Sequence, residues 1–157
     1  IVSFRDRTQT DSEIDKRQKI ETMYAKYSQE FPEVDSISVE QLQQLQQQEK
    51  IVLVDVRSPK ERSVSIIPGA ISTQEFEQNL PQYRNFTIIV YCTIGYRSGK
   101  YIQKLQQQNL KIFNLQGSLL AWSHTQGKLI NESGETKQLH IFGQKWQLTP
   151  DNYQPVW

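Results

Sequence analysis

A mainly parallel, helix-flanked α/β sheet is the fold class this sequence predicts, and three observations carry the prediction. The apolar runs Ile51-Val52-Leu53-Val54 and Ile88-Ile89-Val90-Tyr91 are short and rich in β-branched residues, as expected of strands covered on both faces. Amphipathic segments with capping signals stand between such runs, so strand and helix alternate at short intervals. Polar and reactive residues gather where the runs end, Asp55 and Arg57 after the first and Cys92 after the second. In open α/β sheets the carboxyl ends of the strands are where sites are usually built.

Taken in order, Thr10-Asp11-Ser12-Glu13 reads as a capping box opening an amphipathic helix, with Ile14, Ile20, Tyr24, Tyr27 and Phe31 on its apolar side and Pro32 ending it. Val34 to Ile37 reads as a short strand. A second capping box, Ser38-Val39-Glu40-Gln41, starts a helix from Val39 to about Gln48, whose glutamines form a solvated face beside the Leu42 and Leu45 stripe. After the strand at Ile51 to Arg57, Ser58-Pro59-Lys60-Glu61 turns into a short helix, and Ile66 to Ile71 bends through Pro68-Gly69 into another strand. Thr73 to Leu80 reads as helix closed by Pro81, Thr87 to Tyr91 as strand, Ser98 to Asn109 as helix and Lys111 to Leu115 as strand. Leu119 to Thr125 is the last expected helix, with Gly127 as its C-cap. Lys137 to Leu148 has the look of a hairpin around Phe142-Gly143-Gln144. The aromatic tail, with Trp146, Tyr153 and Trp157, either folds back on the domain or pairs with another chain. No internal repeat is visible.

The totals bound the function classes. A chain of 157 residues holds one domain plus extensions. A net charge of +1 leaves no electrostatic footprint for nucleic acid or an anionic membrane. The mean hydropathy of −0.65 owes much to glutamine, and no apolar run approaches the roughly 20 residues of a membrane span. The reading is therefore a soluble, cytoplasmic protein with no nucleic-acid or membrane partner. The absence of a methionine at Ile1 leaves room for an upstream targeting segment. A single cysteine excludes an internal disulfide and a multi-cysteine metal site. His124 and His140 show no ligand spacing, so no metal and no cofactor are expected.

Cys92 is the candidate nucleophile. From Cys92 to Ser98 the chain must turn from strand to helix, and successive backbone N–H groups can point inward at the sulfur as an anion-binding nest. Together with Arg97, such a nest favours a thiolate, the reactive form. Thr93, Ile94, Gly95, Tyr96, Arg97 and Ser98 are the candidate substrate-binding residues, with Tyr96 at the pocket entrance and Gly95 permitting a turn that a side chain would obstruct. Arg97 either holds an anionic donor or ties the loop to a carboxylate. Asp55 and Arg57 are supporting residues, read as an ion pair that braces the loops. Trp122 is read as core.

Three motifs in this order resemble the rhodanese-like family of sulfurtransferases, over roughly residues 37–130. The first is Asp55-Val56-Arg57-Ser58-Pro59-Lys60-Glu61 running on to Ile67-Pro68-Gly69-Ala70-Ile71, with Ser65 and Ile66 where the family usually has Gly-His. The second is the active-site loop Val90-Tyr91-Cys92-Thr93-Ile94-Gly95-Tyr96-Arg97-Ser98, and the third Leu115-Gln116-Gly117-Ser118-Leu119-Leu120-Ala121-Trp122, with Ser118 in a glycine position. The resemblance implies a rhodanese-like fold with a central, mainly parallel five-stranded sheet. A helical extension over 1–36 and a hairpin-like C-terminal extension over 131–157 flank it. It further implies a persulfide on Cys92, taking sulfane sulfur from a donor such as thiosulfate and passing it to a thiol, cyanide or a protein acceptor. No second cysteine can resolve that persulfide, so the acceptor lies outside this chain. The Cys-x-x-Gly-x-Arg loop is one residue shorter than the Cys-x5-Arg loop of the related dual-specificity phosphatases, which favours sulfur over phosphate. The alternatives are a catalytically silent module that reads a partner through its extensions and, more remotely, a phosphatase. The terminal extensions are also candidates for a homodimer contact.

Overall fold

A computed structural model describes residues 11–47 and 50–157. Five parallel strands form the central sheet: β1 (Ser36–Ile37), β2 (Ile51–Asp55), β3 (Ile71–Ser72), β4 (Thr87–Tyr91) and β5 (Ile112–Leu115), in the order β1-β5-β4-β2-β3. β4 is the middle strand and every one of its residues is buried. Its alternation feeds two cores, since Ile89 and Tyr91 point into one and Ile88 and Val90 into the other. Burying each aliphatic residue in this way stabilises by about 1.5–3 kcal/mol relative to exposure, which accounts for an unbroken apolar run.

Helices cover both faces. On one lie α1 (Asp11–Ser28), α2 (Val39–Leu45) and α7 (Ser118–His124); against the other pack α4 (Thr73–Gln78), α5 (Leu80–Tyr83) and α6 (Tyr96–Lys104). α3 (Pro59–Val64) joins β2 to the bend before β3. Ser38 and Ser58 cap α2 and α3 through complete capping boxes with Gln41 and Glu61, the reciprocal bonds their spacing predicts. The expected capping box of the first helix begins at Thr10, outside the described residues, as does the expected end of the second at Gln48. α1 ends at Ser28, and a run of turns carries Phe31 into the core.

Four expectations need correction. Pro81 opens α5 rather than closing α4, since it falls in the first turn, where its missing N–H costs nothing. α6 spans Tyr96–Lys104 instead of Ser98 to Asn109; Leu105 breaks the regular helix and a 3-10 turn over Gln106–Gln108 ends at Asn109 in the left-handed region, φ 56°. After α7 it is Gln126, φ 58°, that takes the left-handed conformation. Gly127 is required there for a different reason, because a Cβ would collide with the Trp122 indole. The tail does contain an antiparallel hairpin, but it is formed by β6 (Leu129–Asn131) and β7 (Gly134–Thr136). Its turn is made by Asn131, whose Oδ1 accepts from the Ser133 N–H, and by Gly134 at φ 112°. The segment expected as a hairpin instead gives β8 (Gln138–His140), paired in parallel with β9 (Gln154–Val156).

The segments on either side of the sheet-forming region, from α1 and from the C-terminal stretch, are fitted into the fold. Gly95, Gly99 and Gly117 leave space that Tyr24, Phe31 and Ile20 occupy, and a Cβ at any of the three would clash. The C-terminal segment folds back, burying Leu139, Ile141, Leu148 and Tyr153 in the core. Lys16 of α1 donates to the Thr149 carbonyl and pairs with Asp151 at 3.1 Å, joining α1 to the C-terminal segment. Among the described residues no helix is long and apolar enough to cross a membrane.

Candidate active site

Parallel register sets the position of the cysteine. Asp55 lies opposite Tyr91 and Val90 opposite Asn114, so the C-terminal edge of the sheet places Cys92 between the ends of β2 and β5. The chain then turns in four residues, Cys92 to Gly95, and α6 begins at Tyr96. This is tighter than the seven-residue turn expected. Gly95, at φ 110°, makes it possible, and its N–H donates to the Cys92 sulfur at 3.1 Å. Arg97 and Ser98 are thus already in the first helical turn, and the sulfur sits against the N-terminal end of α6, where the helix dipole is positive.

The backbone around the sulfur is pinned from α7. The Cys92 N–H donates to the Ser118 hydroxyl at 3.2 Å, and that hydroxyl donates to the Leu115 carbonyl at 3.0 Å. The Cys92 and Thr93 carbonyls accept from the Leu119 and Leu120 N–H groups at 3.2 and 3.0 Å. Ser118 lies in the left-handed region at φ 43°, which favours glycine, and its hydroxyl contacts offset that cost.

Ser98 Oγ lies 3.4 Å from the sulfur and donates to Asn114 Oδ1 at 2.6 Å. Asn114 Nδ2 donates in turn to the Tyr24 hydroxyl at 3.0 Å and to the Gly95 carbonyl at 2.9 Å. Ser98 and Asn114 are wholly buried. Burial raises the Tyr24 phenol above its ordinary range, against the opposing effect of its hydrogen bonds, so it stays neutral.

Arg97 makes the contact with a carboxylate that the sequence left as one of two choices. Its Nη1 and Nη2 donate to Glu61 Oε1 and Oε2, both at 2.8 Å, and Nη2 also reaches Thr93 Oγ1 at 3.2 Å. Burial by itself would raise the Glu61 carboxyl, but the Arg97 hydrogen bonds and charge, with the Ser58 cap, lower it to about 2. The Phe142 ring covers the guanidinium, 4.6 Å from its centroid. His140 Nδ1 lies 3.9 Å from Glu61 Oε2, and burial lowers its pKa despite that carboxylate.

Asp55 and Arg57 form a buried ion pair. Arg57 Nε and Nη2 bind both Asp55 oxygens at 3.0 and 2.8 Å, both side chains are wholly buried, and Nη2 also donates to the Ser65 carbonyl at 2.6 Å. Neither lines the cavity over Cys92. Trp122 is core, its indole N–H donating to the Lys128 carbonyl at 3.0 Å. His124 is buried with Nε2 2.7 Å from the Leu148 carbonyl, and among the described residues no cluster of His, Cys, Asp and Glu could hold a metal.

Cys92, 1% exposed, forms the floor of a cavity of about 310 Å³ bounded by Tyr27, Ile94, Tyr96, Phe142 and Trp146, with Thr93 and Arg97 at its side. Of the candidate substrate-binding residues, Thr93, Ile94, Tyr96 and Arg97 line it, while Gly95 and Ser98 act on the sulfur from the buried side. Sequence reasoning missed Glu61, Asn114, Ser118, Tyr27, Phe142 and Trp146 as site residues. The Ser58-x-x-Glu61 capping box marked Glu61 as a helix-start residue; nothing local marked it as the partner of Arg97. A second cavity, of about 360 Å³, lies between α1, α2 and α7 and does not reach the sulfur.

Comparison with known proteins places the geometry. The family model for the rhodanese-like domain matches residues 38–125. The chain is similar to a sulfurtransferase of Allochromatium vinosum, 32% identical over 97 residues covering 58% of this chain and 87% of that one. It is also similar to an uncharacterized protein of Synechocystis, slr1261, 40% identical over 91 residues covering 55% of this chain and 51% of the other; it spans only about half the length of that relative. Among solved structures, a rhodanese-related protein from Thermoplasma volcanium superposes with a TM-score of 0.54 at 24% identity, covering 62% of this chain and 99% of that one.

Proposed function

Because the chain belongs to the rhodanese-like domain family, we propose that it is a sulfurtransferase in which Cys92 carries the transferred sulfur as a persulfide. The observation that supports this most is the placement of the only cysteine. Its sulfur accepts the Gly95 N–H at the start of α6 and lies at the floor of the cavity.

The thiolate is the attacking form. With thiosulfate as donor, the Cys92 sulfur attacks the outer sulfur, the S–S bond breaks, sulfite leaves with the bonding pair, and Cys92–S–S⁻ remains. An acceptor nucleophile then attacks the outer sulfur and regenerates the thiolate; cyanide would leave as thiocyanate and a thiol as its persulfide. The Gly95 N–H and the end of the α6 dipole stabilise charge on the cysteine sulfur. The Ser98 hydroxyl, fixed by Asn114, orients it. The second sulfur projects into the cavity, the side free of these contacts. With no other cysteine in this sequence, no second thiol within it can take the sulfur on.

The test is to supply thiosulfate to the intact chain, search the Cys92 peptide by mass spectrometry for one added sulfur, and follow thiocyanate with cyanide present. Persulfide on Cys92 with turnover that is lost in Cys92→Ser is the expected result. Turnover that survives Cys92→Ser, or neither adduct nor thiocyanate with any sulfane donor, overturns the proposal.

A further inference from the structure

The charge balance at the cavity points to the class of sulfur compound it takes. Arg97 is the one cation on its lining among the described residues, and both ends of its guanidinium are committed to Glu61. Glu61 is ionised across the neutral range, so the pair carries no net charge. His140, beside it, is held toward the neutral form by burial, and Lys100 is drawn to Glu30 at 3.6 Å. A dianion entering the cavity would shed water and meet no unpaired positive charge, a costly exchange. Apart from Thr93, the remaining walls are apolar or aromatic. Tyr27 and Tyr96 meet edge to face at 5.2 Å, Phe142 and Trp146 at 5.9 Å. The volume, about 310 Å³, is at the small end for ligand sites, enough for a substituent the size of one aromatic ring.

We propose that the small-molecule sulfur partner of Cys92 is an organic thiol bearing an apolar group of about aromatic-ring size, with its persulfide as donor, in preference to an inorganic dianion. This rests on the sulfurtransferase reading above and narrows it. The Cys92 thiolate attacks the outer sulfur of R–S–SH, the donor S–S bond breaks, R–S⁻ leaves with the bonding pair, and the outer sulfur keeps its hydrogen in Cys92–S–SH. One S–S bond is exchanged for another, so no oxidant or reductant is needed, and the reverse step hands sulfur to the same class of thiol. Phe142 and Trp146 hold the R group while the reacting sulfur lies over Cys92.

The test compares three donors on the full chain, reading the rate of sulfur addition to Cys92 by intact mass: benzyl persulfide, cysteine persulfide and thiosulfate. The expected result is a KM for benzyl persulfide about tenfold or more below those for the other two, a discrimination within reach of one apolar pocket. Trp146→Leu with Phe142→Ala should raise the benzyl persulfide KM toward that of cysteine persulfide. Glu61→Gln, which releases Arg97, should lower the KM for thiosulfate. Loading by thiosulfate or cysteine persulfide as efficient as by benzyl persulfide overturns the inference while leaving the sulfurtransferase reading intact. No loading from any of the three overturns both. The donor ratio is measured on the unaltered protein, so the test stands if a variant fails to fold.

Discussion

The two sides of the Cys92 sulfur are built from different materials. On the buried side a polar chain of Ser98, Asn114 and Tyr24 spans α6, β5 and α1, each member hydrogen-bonded at 3.4 Å or less. On the open side Phe142 and Trp146 come from the C-terminal segment and meet each other ring to ring, while Tyr27 from α1 meets Tyr96. Under the proposed function, the first arrangement would fix the nucleophile and the second would select what reaches it. Changes on the buried side should therefore act on stability and reactivity, and changes on the open side on recognition.

The largest effect belongs to the atom the two sides share. Cys92→Ser should lower sulfur transfer by about 10³-fold or more, because a hydroxyl cannot carry sulfane sulfur at neutral pH; turnover with any competent donor checks it. Next is Asn114→Ala, which removes the amide that Ser98, Gly95 and Tyr24 share. Leaving such groups buried without partners should cost about 2–4 kcal/mol, read as a lower urea midpoint at unchanged slope. The same change on the open side should cost far less, which is how the comparison could fail.

Glu61 and Arg97 link the two sides and give a pH dependence of known sign. The Glu61 carboxyl is lowered from 4.5 to about 2 by the fold, so its contribution is fully present above about 4.5 and is lost as pH falls toward 2. Arg97 is 36% exposed, and solvent screening leaves on the order of 1–2 kcal/mol. Thermal midpoints of the wild type should fall across that window more steeply than those of Glu61→Gln. Parallel curves would remove this link. The smallest effect is expected for Phe142→Ala. The ring is 49% exposed, its contact with Arg97 is worth about 0.5–1 kcal/mol, and the thermal midpoint should drop by about 2–4 °C.

The same division explains what the sequence revealed. The strands at Ile51–Asp55 and Thr87–Tyr91, the two capping boxes and Cys92 at a strand end follow from local rules, since periodicity, caps and chain reversal depend on neighbours in sequence. Gly95 was legible for the same reason. Asn114 looked like one polar residue in a short strand, and only the parallel register beside Val90 brings it under the cysteine loop. Glu61 and Arg97 lie 36 positions apart, a pairing no local pattern encodes. Phe142 reaches the site because β8 pairs with β9 instead of turning back on itself. The turn residues of the true hairpin, Asn131, Ser133 and Gly134, were visible, but the apolar pattern around Gly143 competed with them. Pro81 carried two meanings, helix end and helix start, and only the position of α5 separates them.

The most direct measurement of the central claim is a single-turnover relay. The protein is loaded with a sulfane donor, the donor is removed, and the Cys92 peptide is weighed before and after an acceptor thiol is added. One sulfur atom gained on Cys92, then lost as an equal amount of acceptor persulfide appears, is the predicted result. Acceptor persulfide formed while Cys92 never carries the extra sulfur would contradict the account.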